Sequence, residues 1–594
     1  MIAVRRLRLR LRRADEGIAM VMVLGIGFVF TLLMVAALSS ALGTEKRSVL
    51  DQDWSAALAA AYAGIEEYQS RISETPSYVQ YGNPNSTFSN PLGVASPGVT
   101  LPPTTNLAFG INATGTWATV PGSDSDSKYR YEVNNQNYSS AGTVRLRSTG
   151  KVGTATRSIV ADLRQQGFID FLYFTDYEMQ DPAVVNGGCS VVHTWEGRGG
   201  CTIQFAAADV IGGSVHSNDT LYICGSRFKS TVTTGRPGGG YVKPGGCANP
   251  TFDVSPPTYS PSIPMPASNT ELKKETRSDL TAADVPRPGC LYTGPTSITF
   301  IAAGKMVVKS PWTQFTNIVG EPVTSGTNNA TQCGAISALQ SASGATVSVP
   351  DNNVIYVQNI PLTGTNSATT ASTTTSSGSL RCKKQSDGTS LTSPAGYSQN
   401  VVGYPVGQEV PLVPGTAADA SYGCRNGDVF VSGQLSGGSV TIAAQNFVYI
   451  TGDLTYANTD TDMLGLVGNN AVWVYNPVNS SNTALLANNR TINAAILSVA
   501  HTLAVQNYAV GSSRGTLTIL GSIAQKFRGA VGTSGGTGYT KNYLYDARFR
   551  YTAPPKFLSP VTTTYGVNVW VEIAPVWKTD GSCWTIPPAN TVCR

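Results

Sequence analysis

The sequence predicts an α+β chain in which a long N-terminal helix precedes a large, mainly β domain placed outside a membrane. Three observations predict it. Residues 18–38 are 21 consecutive uncharged, mostly aliphatic positions. A helical stripe of apolar residues continues from Leu50 to Ile72. Beyond residue 140, apolar residues alternate or cluster in short runs closed by Gly or Asn, the pattern of strands and turns, and no long helical period intervenes.

The basic cluster comes first. Residues 1–13 hold six arginines (Arg5, Arg6, Arg8, Arg10, Arg12 and Arg13) and no acid, and the rest of the 594-residue chain is close to neutral despite a formal charge of +5. Cations before an apolar run stay on the cytoplasmic side, so the chain beyond residue 38 is expected outside, in a single-pass topology. At about 1.5 Å per residue, residues 18–38 reach roughly 30 Å, one bilayer core. A secretory signal peptide has a shorter apolar region; a plain signal anchor is the competing reading.

The stripe distinguishes these readings. Leu50, Trp54, Leu58, Ala61, Ile65, Tyr68 and Ile72 recur at spacings of three and four, one face of a helix, and Pro76 ends it. No Pro interrupts positions 18 to 75, so both segments can form one helix of about 55 residues. A simple anchor has no need of that continuation.

A basic leader (1–17) ending Asp15-Glu16-Gly17, the apolar run, and then Ala-Ala-Leu-Ala-Ala-Ala-Tyr-Ala-Gly-Ile-Glu-Glu-Tyr (56–68) resemble the N-terminus of PilX-type minor pilins, prepilin-like proteins of type IV pilus systems. The resemblance spans residues 12–72. It implies cleavage between Gly17 and Ile18, with Ile18 becoming the methylated N-terminus. It also implies other pilin subunits and the pilus assembly machinery as partners, and the membrane as partner of residues 18–38. Major pilins carry Glu as fifth mature residue; Met22 stands there in this chain. That departure points to a minor or initiating subunit, at the tip or priming assembly.

The remainder divides into a pilin-like β region (76–180) and a large β domain with loop insertions (181–594). Val144 and Leu146, a break at Gly150–Gly153, and then Ile159, Ala161 and Leu163 predict a hairpin. The aromatic run Phe168–Glu178 reads as a hydrophobic junction, with a ligand-stacking platform as the sharper alternative. Residues 255–266 are Pro-rich and 364–379 Ser/Thr-rich, both read as flexible or low-complexity. From 427 onward short strands end in Gly or Asn. A parallel β-helix is preferred, with a β-sandwich as the alternative. This region resembles the C-terminal domain of large PilX-like proteins of Gram-positive actinobacteria, which implies a location and no chemistry.

Ten cysteines lie after residue 188: Cys189, Cys201, Cys224, Cys247, Cys290, Cys333, Cys382, Cys424, Cys583 and Cys593. No C-x-x-C pair occurs and the chain holds three histidines, so disulfides in an oxidising compartment fit better than zinc. Short loops favour Cys189–Cys201, Cys224–Cys247 and Cys583–Cys593.

The search for chemistry yields little. Gly532-Thr-Ser534-Gly-Gly536 matches a nucleophile elbow in letters, with His501 and Asp546 as formal partners, but sits in a Gly/Thr loop without the required strand and helix. His193 and His216 near Cys189, Cys201 and Cys224 suggest a metal less well than they suggest disulfides and turns. Asp124-Ser-Asp126 lacks the spacing of a calcium loop. No phosphate-binding loop occurs, and a neutral exported domain gives no reason to expect nucleic acid. The expectation is therefore a non-enzymatic, cofactor-free minor pilin-like subunit with an adhesive surface domain for an unknown ligand. A membrane-anchored surface protein outside any pilus and, behind it, a β-helix carbohydrate-active enzyme are the alternatives.

Overall fold

The computed structural model describes residues 2–84, 86–89, 99–110, 116–123, 126–136, 138, 143–165, 167–185, 188–207, 209–282, 284–320, 325–360, 402–404, 406, 408–409, 426–550, 552–558, 565–575 and 577–579. Most of the acidic-serine run 124–126, all of 364–379, and Cys382, Cys424, Cys583 and Cys593 lie outside them. The chain divides into two compact units: residues 1–136, 144–163 and 567–594, and residues 137–143 with 164–566.

In the first unit a single helix, α1, runs Ile2–Glu74. Its five-stranded sheet has the order Ala118–Thr119, Lys128–Asn134, Thr143–Val152, Ala155–Gln165, Tyr565–Ile573. The first three strands pair antiparallel, with Glu132 opposite Arg147. Ala57, Ala60, Ala61, Ile65, Tyr68 and Ile72 of α1 are buried, and Tyr68 meets Tyr131 edge-on at 5.2 Å. Small residues set how closely helix and sheet approach. A Cβ on Gly150 would stand 2.0 Å from the Ala57 carbonyl oxygen and 2.3 Å from the Ala61 nitrogen; one on Gly64 would stand 2.4 Å from Ser148 Oγ. Gly150 is thus a contact glycine inside the strand, and the hairpin turn narrows to Gly153–Thr154, where Gly153 takes φ +53°.

The expected stripe holds for Ala61, Ile65, Tyr68 and Ile72 and fails at its start. Leu50 and Trp54 are exposed, and Trp54 lies under the Arg157 guanidinium at 5.0 Å instead of entering the core. Arg157 also pairs with both carboxylate oxygens of Glu572 at 2.6 Å, tying the last strand to its neighbour.

The second unit is large and mostly β. Its strands pair chiefly in parallel and with strands two or more along the chain, in three ladders. One contains Cys290–Thr293, Asn353–Gln358, Ser439–Ala444 and Met463–Gly468. It continues through residues 495–498 and 522–525 to Tyr173–Tyr177, Val215–Ser217, Val232–Thr234 and Thr258–Tyr259. A second joins Leu454, Ile492, Ile519, Tyr543, Ile211, Phe228 and Phe252. The third joins Thr296–Ile301, Val429–Leu435, Val448–Tyr456, Val472–Val474 and residues 503–505. The stack therefore begins in space at residue 290, runs to 545, and continues with residues 173–259.

Alternate residues point to opposite faces of each ladder. Val429, Val431, Val448, Ile450, Val472 and Val474 enter the shared apolar interior. Phe430, Tyr449, Trp473 and Ala504, in register on the other face, pack with Val402, Tyr404 and Val406. In the Pro-rich 255–266, Ile263 exchanges hydrogen bonds of 2.7 and 2.8 Å with the Asn218 side chain. Beyond it Asn269 donates to the Ala444 carbonyl at 2.8 Å, and Ile263 and Leu272 pack with Leu291, Val354, Tyr356 and Ala443 on the outer face of the first ladder.

Candidate functional site

Residues 20–40 of α1 are the first candidate. They form a 21-residue span long and apolar enough to cross a membrane, and none of it is buried among the described residues. Exposing so many Val, Leu, Met and Phe side chains to water is unfavourable by about 25 cal/mol per Å², so the span calls for an apolar environment from outside. Gly17 and Ile18 lie within the helix, and Met22 is 64% exposed. An uncharged side chain there asks for no counter-ion.

Below this span the first unit holds buried charge. Glu132 accepts hydrogen bonds from Arg147 Nε (2.6 Å), Ser86 Oγ (2.6 Å) and Trp577 Nε1 (3.2 Å). Arg130 lies 3.8 Å over the Trp577 ring, and burial pushes its guanidinium down to about 10.

In the second unit the sequence-derived chemical candidates have structural partners. Ser534 occupies an exposed turn; His501 Nδ1 lies 2.8 Å from Asp181 Oδ2, and Asp546 pairs with Arg548 at 2.6 Å. No strand–turn–helix presents the serine. His216 is buried between Thr233 Oγ1 (2.8 Å) and Asn218 Oδ1 (3.0 Å), and burial pushes its imidazole down to about 4. Disulfides join Cys189 to Cys201, Cys224 to Cys247 and Cys290 to Cys333. Those sulfurs are thereby removed from metal binding, and among the described residues no group of three His, Cys, Asp or Glu side chains is placed to hold an ion.

Two groupings were not read from the sequence. The first is a buried charged cluster where Tyr173–Tyr177 pairs with residues 523–527. Arg528 lies 3.7 Å over Phe205 and bonds Glu178 Oε2 at 3.0 Å, and Lys541 bonds Asp209 at 2.7 Å. Burial pushes the Lys541 ammonium down. The cluster borders a small enclosed void and brings together residues more than 300 positions apart, so no local signal announces it.

The second is the column of rings carried by the loop that Cys189–Cys201 closes. Of the aromatic run, Phe168, Phe171 and Phe174 are core, but Tyr177 starts an outward column of rings. Phe527 stacks on Tyr177 at 5.6 Å, Tyr177 on His193 at 4.9 Å, and His193 on Trp195 at 4.7 Å with planes 2° apart. Trp195 is 40% exposed. A tryptophan and a histidine bracketed by two cysteines was the available signal.

No family model matches the chain, and no curated protein matches it. Among solved structures, the competence-associated pilin ComZ from Thermus thermophilus aligns over 88% of this chain and 97% of its own, at 11% identity and a TM-score of 0.22. A superposition that loose has no bearing on this chain's fold or role.

Proposed function

We propose that the chain is a minor, pilin-like subunit of a type IV pilus system whose second unit is an extracellular surface-interaction module. One observation carries the reading. A single helix exposes an apolar span of bilayer length at residues 20–40, while its continuation, residues 57–72, is packed on an antiparallel sheet through glycines. An anchor alone does not need a rigid continuation fixed to a folded domain. Disulfides in the second unit fit an oxidising exterior. The large insertion between residues 164 and 566 is too bulky to repeat at every subunit of a thin fibre, which favours a tip or priming position.

In the same reading the second unit is a parallel β-helix. Its support is the parallel pairing of successive turns in three ladders around one apolar interior, where a sandwich would pair antiparallel strands. The reading assigns the chain no catalytic role. A membrane-anchored surface protein outside any pilus is the second reading, and a lack of processing at Gly17 would favour it. Quantitative mass spectrometry of sheared surface filaments separates the two. The pilin reading expects this chain there at a small fraction of a major subunit, and its retention in the membrane with no trace in filaments supports the second.

A further inference from the structure

We propose that loop 189–201 is a saccharide-binding site that takes a neutral pyranose ring on the outer face of Trp195, beside the Glu196 carboxylate. The inference rests on the reading of the second unit as extracellular, and on nothing about pilus assembly.

The loop is built to hold Trp195 outward. Cys189–Cys201 closes it. The buried Arg198 guanidinium pairs with Asp219 and donates to the Glu178 carbonyl (3.1 Å) and to Thr194 Oγ1 (2.7 Å). Asp219 in turn accepts from the Thr194 backbone N–H at 2.9 Å. Glu196 Oε2 accepts the His193 backbone N–H at 2.8 Å, fixing the turn that carries the indole. These separate restraints fix the backbone of the short loop that carries Trp195, which lowers the ordering cost of binding.

One indole face is used by His193, and the column behind it runs through Tyr177 to Phe527 in the wall of the ladder. The other end of the column is the open end. An aromatic face carries negative potential, which suits the polarised C–H bonds on the flat side of a pyranose. Glu196, with its side chain 49% exposed, spends Oε2 inside the turn; Oε1 points to no described partner and is free to accept from a sugar hydroxyl.

Charge narrows the ligand. A nucleobase would fit the ring, but strand-binding surfaces need cations along the backbone path. Here the charge beside Trp195 is the Glu196 carboxylate, Arg198 is engaged by Asp219, and Lys526 Nζ stands at the far, inner end of the column, 5.7 Å from the Phe527 ring. Phosphate and acidic sugars are disfavoured for the same reason. A protein partner needs roughly 800 Å² on each side, and the large exposed apolar residues of this loop are Val191 and Trp195. A single neutral ring is what remains.

The test uses the full chain in detergent, titrated with cello-, xylo-, manno- and chitohexaose and followed by tryptophan fluorescence and calorimetry. At least one hexasaccharide is expected to bind. Trp195→Ala should lower its affinity about tenfold or more, Trp195→Phe should recover part of it, and Glu196→Gln should weaken it a few-fold, all at unchanged melting temperature. Failure of all four saccharides to bind, equal affinity for Trp195→Ala, or preference for an aromatic peptide or single-stranded DNA over every saccharide overturns the proposal. N-terminal processing, read on the same sample, reports on the pilin assignment separately.

Discussion

Residues 20–40 and residues 57–72 belong to one continuous helix, and their surroundings make opposite demands. The first span carries many large side chains between Met20 and Leu38 that stay exposed among the described residues. The second uses small ones (Ala57, Ala60, Ala61 and Gly64) that let a strand approach to backbone contact. The difference teaches that apolar character alone does not locate a core. What locates it is a surface the partner can reach: Ala57, Ala60, Ala61 and Gly64 let the strand approach and Ile65, Tyr68 and Ile72 fill the space beside it, whereas the large side chains between Met20 and Leu38 stay exposed.

The sharpest way to break this comparison is to add bulk where smallness is required. Gly150→Val places carbon against the Ala57 and Ala61 backbone, and should cost about 3 kcal/mol or more, read as a lower melting temperature and faster proteolysis after the helix. Removing Cys290–Cys333 should come next. A 43-residue separation corresponds to about 4 kcal/mol in the chain-entropy model, against about 3 kcal/mol for Cys189–Cys201, whose separation is 12. Double Cys→Ser variants compared by thermal melts check the order. Phe28→Arg tests the other half of the helix: folding should be unaffected, while membrane retention drops by about 2.5–3.5 kcal/mol of insertion free energy. Retention equal to wild type would argue against a lipid-facing Phe28.

Two buried groups set an opposed pH dependence in the second unit. Burial pushes the Asp428 carboxyl up to about 7. The unfolded chain gives up this proton first, so stability falls as pH rises from about 4 to about 7 and stays low above that. His216, pushed down to about 4 by burial, acts in the other direction. Its unfolded form binds a proton first, so stability is present above about 6.5 and is lost as pH falls toward about 4. Asp428→Asn should flatten the first slope and His216→Asn the second, in melting temperature measured from pH 4 to 8. The smallest effect belongs to the exposed Arg145–Asp162 pair, bonded at 2.7 and 2.8 Å; Asp162→Ala should change stability by no more than about 1 kcal/mol.

Local elements were legible because their signals are local. The 3.6-residue period gave the helix. Glycine- and Asn-closed runs gave Val429–Leu435, Ser439–Ala444 and Met463–Gly468, and two cysteines twelve apart gave a loop. The stripe misled at Leu50 and Trp54 because period reports a face, not whether a sheet reaches it. The composition of Pro-rich 255–266 does not show that the Asn218 side chain binds Ile263. The pairing of Tyr173–Tyr177 with residues 523–527, and of Tyr565–Ile573 with the hairpin, spans hundreds of residues and leaves no mark in either segment alone. The Trp195 column depends on that pairing, since Phe527 and Tyr177 are opposite residues in it.

The most direct test of the pilin-like assignment is the mature N-terminus, read by mass spectrometry on protein from isolated cell envelopes. A chain beginning at Ile18 with a methylated amine, cut after Gly17, is the predicted result. A chain that still begins at Met1, or one that begins beyond the apolar span near Gly43, would contradict it.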